Sequence, residues 1–164
     1  MASNRIGRIN EEIQRELASL IRTVKDPRVH GLVSITAVGT RTTATGTGVV
    51  LSEKGYLVTN YHVVRRAQSI DVKLTDEREL TASVVGEDPV SDLAVLYIAA
   101  DGLTPAQFGD SDTLRVGDSV VAIGDPLGVE LRGTMTDGIV SAINRDVQVD
   151  GRTMNLSQTN AALN

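Results

Sequence analysis

Between residues 4 and 25 apolar positions recur every three or four residues: Ile6, Ile9, Ile13, Leu17, Leu20, Ile21 and Val24. They form one stripe, which predicts an amphipathic α-helix. Ser3 or Asn4 can cap its start, and Asp26-Pro27 ends it because the residue before proline avoids the α region. From residue 31 the period falls to two. Ile70, Val72 and Leu74 alternate with Asp71, Lys73 and Thr75, and Leu80, Ala82 and Val84 resume the alternation after the polar run TDERE. These two runs predict a β-hairpin. Further strands are predicted at GVVL (48–51), YLVTN (56–60), DLAVLYI (92–98), DSVVAIG (118–124) and GIVSAIN (138–144), parted by SEKG, GEDP, GDSD and GDPLG. The last run, SQTNAALN (157–164), reads as a strand breaking into a turn. Short strands at this spacing predict a barrel or a sandwich. DLAVLYI is apolar on both faces, so it is expected to be the most buried strand.

Composition narrows the picture. With 41% hydrophobic and 23% charged residues over 164 positions, the chain can bury one sizeable core or two small ones, and a disordered class is excluded. Aromatic residues are 2% and Trp is absent, so Val, Ile, Leu and Ala must fill that core, while 15 Gly supply turns. The absence of Cys excludes disulfides, thiolate metal sites and a Cys nucleophile, and leaves the compartment open. No stretch approaches a membrane span of about 20 apolar residues. The start, MASNRIGRINEEIQREL, lacks an apolar signal core, so as written nothing directs the chain out of the cytoplasm. Residues 1–30 carry six Lys/Arg against four acids, a balance of +2, which leaves −7 of the net −5 on residues 31–164. A mildly basic head on an acidic body fits either an anionic partner or a solvated helix face.

The chain has two His. One, His62, lies in TNYHVVRRA, after a predicted strand and before a predicted helical turn; Asp92 lies in DPVSDLAVL, at the mouth of the buried strand. An acid there is costly unless paired or solvated. An Asp accepting the imidazole Nδ1–H would fix the tautomer and leave Nε2 as a general base toward a Ser hydroxyl. By residue type alone, the pair fits a structural hydrogen bond as well as a catalytic one.

GTGVVLSEKGYLVTNYHVV, DPVSDLAVLYI, FGDSDTLRVGDSVVAIGDPLG, GTMTDGIVSAINR and QTNAALN follow one another in this order. The series, over about residues 33–164, closely resembles the protease domain of HtrA-type (DegP-like) serine proteases. The resemblance implies a mainly β, trypsin-like fold of two Greek-key barrels with the active site between them, the first barrel whole and about half of the second present. It implies His62 as general base, Asp92 as its orienting acid, and a polypeptide substrate. Asp125 stands where the family usually has Asn, and Asn160 where Asp is common; neither position is catalytic in the family. After a stretch like QTNAALN the family continues to Gly-Asn-Ser-Gly-Gly, which supplies the nucleophile, then to the oxyanion-hole amides, the specificity pocket and a PDZ domain. The 164 residues stop short of it, so the expectation is a protease domain inactive by itself. Ser111 in FGDSDT and Ser119 in VGDSVV echo Gly-Asp-Ser without the glycines that turn backbone N–H groups toward an oxyanion.

MASNRIGRINEEIQRELASLIRTVKDPRVHGLVSITAV (1–38) resembles, over about residues 1–37, the start of ribosome-binding factor A, a small KH-like protein. RNA binding through the basic helix is one expectation from it, although the helix-loop-helix clamp of KH recognition is absent. LVSITAV would serve as the first strand of either family. The chain thus reads as a helical segment over 1–32 and an incomplete protease domain over 33–164. Exposed strand edges make self-association expected. No ligand cluster points to a metal or other cofactor, and HtrA-type proteases usually work in the cell envelope.

Overall fold

A computed structural model describes residues 31–124, 134–149 and 152–162. The predicted N-terminal helix, with most of the stretch that resembles ribosome-binding factor A, lies outside these residues, as does Asp125. The chain divides into two compact units, the first built on Arg28–Gln107 and the second on Phe108–Ile123 and Met135–Asn164.

In the first unit, strands β1 (Leu32–Val38), β2 (Thr43–Val50) and β3 (Tyr56–Asn60) lead into one helical turn, α1 (Tyr61–Val64). Strands β4 (Ser69–Lys73), β5 (Glu79–Thr81), β6 (Ser83–Asp88) and β7 (Leu93–Tyr97) follow. All pair antiparallel in the order β5-β4-β1-β2-β3-β7-β6. β5 and β6 stand at opposite ends of this order, yet only Ala82 separates them in the chain. Cα atoms two residues apart lie within about 7 Å. The two edges therefore meet at that corner, and the sheet is curled into a barrel rather than open.

The barrel interior is aliphatic, as the composition requires: Ile35, Leu57, Val72, Leu96 and Ile98 are fully buried within one cluster. The predicted hairpin is present, with Val72 opposite Leu80. LVSITAV is β1, paired with β2 on one side and β4 on the other, so this strand belongs to the barrel's middle. The SEKG turn closes with Gly55 at φ +94°. A Cβ there would lie 2.0 Å from the Ile98 carbonyl oxygen, so only glycine fits.

Two expectations are corrected. DLAVLYI is not buried on both faces: Ala94 and Leu96 point into the core, Leu93 and Val95 are partly covered, and Tyr97 is exposed beside Tyr56, ring centroids 5.6 Å apart. Successive side chains of a strand face opposite ways, and only one face of this strand meets the core. Among the described strands β1 holds the most buried residues, Val33, Ser34, Ile35 and Ala37, and β3 has a buried run of equal length. GEDP is not wholly a turn. A bulge between Val84 and Gly86 carries β6 on to Asp88, opposite Leu93, and the turn begins at Pro89.

The second unit contains a short 3₁₀ turn (Ser111–Thr113) and a three-stranded sheet in the order β10-β9-β8. Its strands are β8 (Ser119–Gly124), β9 (Thr134–Val149) and β10 (Arg152–Thr159). Leu114, Val120 and Val140 form its small core. β9 runs well past the predicted GIVSAIN: its outer half pairs with β10, Val147 opposite Met154, and is held by polar cross-strand bonds, Asn155 to Asp146 and Gln148 to Thr153.

Candidate active site

β3 ends at Asn60, and the chain turns at once into α1, where Val63 and Val64 are buried and His62 is turned outward. β2 makes room for this turn with Gly46: a Cβ there would lie 2.8 Å from Val63 Cγ2. β7 pairs with β3 so that Asn60 lies opposite Leu93, which brings the preceding residue, Asp92, beside α1.

Asp92 is clasped by three consecutive residues. Its carbonyl oxygen accepts the Tyr61 N–H at 3.0 Å and the Asn60 side-chain amide at 3.2 Å. Carboxylate Oδ1 accepts the His62 backbone N–H at 2.8 Å. Oδ2 lies 2.6 Å from His62 Nδ1 and 3.2 Å from Asn60 Nδ2. A carboxylate only accepts, so the short contact requires a proton on Nδ1, and in the neutral ring this leaves Nε2 with its lone pair. The buried Thr59 anchors the end of β3 by donating its hydroxyl to the Thr47 carbonyl at 2.9 Å.

The side chains of His62 and Asp92 are 60% and 40% exposed, so the pair is open to water and contributes little to stability. Asp92 nevertheless holds φ +56°, the left-handed region that a non-glycine residue enters at a cost. The small stability of an exposed pair does not account for that cost.

Both sequence-derived site residues, His62 and Asp92, are thus brought together. Ser111 opens the 3₁₀ turn and Ser119 opens β8, each followed by a non-glycine residue, Asp112 and Val120. Asn160 has a structural task, its Oδ1 accepting the Ile139 N–H at 2.7 Å. The sequence does not mark Asn60, because its bonds to Asp92 exist only once β3 and β7 are paired. Among the described residues no three His, Cys, Asp or Glu converge as a metal site would need. Nor, among them, is any helix long and apolar enough to cross a membrane.

Comparison with known proteins places the chain in a family. The trypsin-like peptidase domain family matches residues 46–164. The chain belongs to that family. Within it the domain is of the HtrA type. It is similar to the serine protease Do-like HtrA of Bacillus subtilis, 49% identical over 127 residues, covering 73% of this chain and 28% of that protein. It is also similar to the periplasmic serine endoprotease DegP of Escherichia coli, 48% identical, covering 74% of this chain and 26% of that protein. Among solved structures, the HtrA-type protease AlgW with a tripeptide superposes with a TM-score of 0.77 at 37% identity, covering 83% of this chain and 44% of the other. The curled sheet and the strands after it are therefore those of a trypsin-like fold. The match spans about a quarter of the curated relatives' length.

Proposed function

We propose that this HtrA-type domain supplies the general base and orienting acid of a serine endopeptidase that cleaves polypeptides. The observation that carries the reading is the 2.6 Å contact between His62 Nδ1 and Asp92 Oδ2. His62 Nε2 takes the proton of an attacking Ser hydroxyl and later returns it to the leaving amine, while Asp92 holds the ring in the required tautomer and stabilises the imidazolium. The peptides bound in the AlgW structures support a polypeptide as the substrate class. The relatives' periplasmic names support work in the cell envelope.

The 164 residues contain no Gly-Asn-Ser-Gly-Gly, so a polypeptide of these residues alone has a base with no nucleophile to activate. Incubation of the pure chain with a fluorophosphonate probe and with unfolded casein tests this. No labelling and no cleavage are expected; labelling at Ser111 or Ser119 would overturn it. We place the start of the protease domain near residue 32, because the barrel cannot close without β1. Self-association is proposed as well, since β10 is an edge strand of its sheet with Leu156 exposed. A monomer mass by light scattering at every concentration would refute it.

A further inference from the structure

The turn that delivers Asp92 is held by a second carboxylate. β6 and β7 are joined by four residues, Pro89 to Asp92, closed by the pairing of Asp88 with Leu93. At the start of this loop, Asp88 Oδ1 accepts the Val90 N–H at 2.9 Å, and Oδ2 accepts the Ser91 hydroxyl proton at 2.5 Å. The first is an Asx turn, in which an Asp side chain fixes the backbone two residues on, and Pro89 pre-sets the intervening φ. The second satisfies a buried hydroxyl, Ser91 being 8% exposed. At its end, the loop closes with Asp92 in the left-handed region at φ +56°, a position where hairpin loops favour glycine. Glycine would relax the loop and could not orient an imidazole.

We propose that Asp88 and Ser91 are positioning residues that act through Asp92: their hydrogen bonds hold the loop in the one conformation that aims the Asp92 carboxylate at His62 Nδ1. This inference rests on the proposed catalytic role of the His62–Asp92 pair and extends it one layer outward. The physical reason is loop rigidity. The hydrogen bonds from Asn60, Tyr61 and His62 hold Asp92 only while its backbone presents the carboxylate to them, since the side chain is 40% exposed. That presentation is set by the backbone on either side. β7 fixes the C-terminal side, and the Asp88 carboxylate fixes the N-terminal side. Release of that side lets residue 92 leave the strained φ, and the carboxylate swings away from the ring.

The test reads the His62 tautomer in the intact 164-residue chain, from the ¹⁵N shifts of Nδ1 and Nε2 at alkaline pH, so it needs no turnover. A free imidazole favours the Nε2–H form; the wild type is expected to hold mainly the Nδ1–H form, and Asp92→Ala to revert to the free ratio. Asp88→Ala is expected to lose most of the Nδ1–H excess, Ser91→Ala part of it, and Asp88→Asn, which keeps an acceptor for Val90 N–H and a donor toward Ser91 Oγ, to restore it. Simple loss of stability would not move this ratio in the folded protein. Asp88→Ala and Ser91→Ala chains that keep the wild-type tautomer, while Asp92→Ala does not, would overturn the positioning role and leave the His62–Asp92 reading standing. A wild type already at the free-imidazole ratio would overturn both. Should Asp88→Ala not fold, Ser91→Ala, which deletes a single hydroxyl, is judged by the same criterion.

Discussion

Thr81 and Ser83 are two positions apart in the chain and sit at opposite ends of a seven-stranded order. Ala82, between them, is the corner at which the sheet closes, and its N–H donates to the Ile70 carbonyl at 2.8 Å. Ala82→Pro removes that donor and leaves the acceptor unpaired. A loss of about 1–3 kcal/mol is expected, because an unsatisfied polar group in a folded protein costs about that much. Ala82→Gly keeps the bond and should lose less, about 0.5–1 kcal/mol from backbone entropy. Urea denaturation of the two variants separates these outcomes; equal losses would place the effect in chain flexibility rather than in the hydrogen bond.

Two glycines invite opposite outcomes. Gly55→Ala drives a Cβ into the Ile98 carbonyl and strains a residue at φ +94°, so the β3 entry must distort. Gly86, beside the β6 bulge, has nothing within 4 Å of an added Cβ and a φ outside the left-handed region. Gly86→Ala is expected to stabilise by about 0.4–1 kcal/mol through the unfolded chain, and Gly55→Ala to destabilise by more than that. Thermal melting of both proteins checks the sign of each.

The β4–β5 hairpin carries an exposed charge cluster that gives stability a pH dependence. The Arg78 guanidinium, 2.7 Å from the Asp76 carboxylate, lowers the Asp76 carboxyl from its ordinary value. A carboxyl depressed in the folded state contributes stability above its unfolded value and loses it as pH falls through the folded one. The stability difference between wild type and Asp76→Asn should therefore hold at neutral pH and shrink below about pH 4. Lys73 behaves in the opposite sense. Its side-chain bonds to Glu77 and Glu79 raise its ammonium above the ordinary lysine value, so that contribution is present at neutral pH and fades only in strong alkali. Salt should weaken both effects, because Asp76, Arg78 and the acidic partners of Lys73 are exposed. Denaturation midpoints across pH at low and high salt provide the measurement.

The inward face of β4 was legible in the sequence because Ile70, Val72 and Leu74 alternate with polar residues where one face meets a core, whereas β7 and β8 were legible only as apolar runs. Three features were not. The outer half of β9 has only Val147 and Val149 as apolar positions, and polar cross-strand bonds to β10 hold the rest. The extension of β6 through Gly86, Glu87 and Asp88 depends on a bulge, and turn-forming residues there read as a turn. The apolar outer face of DLAVLYI suggested burial, yet Tyr97 finds cover in a cross-strand ring, Tyr56, rather than in the interior. For the site, His62 and Asp92 could be singled out by type and surrounding motif. Asn60, which bonds both the carbonyl and the carboxylate of Asp92, could not, because its task exists only once β3 and β7 are paired.

The central claim is that His62 and Asp92 form the base and acid of a peptidase site, and peptidase activity in a completed domain tests it most directly. A fusion in which residues 46–162 replace the matching stretch of the Bacillus subtilis relative would supply the remaining residues of that protease, and casein cleavage would be followed. The fusion is expected to cleave, with Asp92→Asn lowering kcat by about 10⁴-fold and His62→Ala by about 10⁶-fold. A folded fusion that cleaves equally well with His62→Ala would contradict the account.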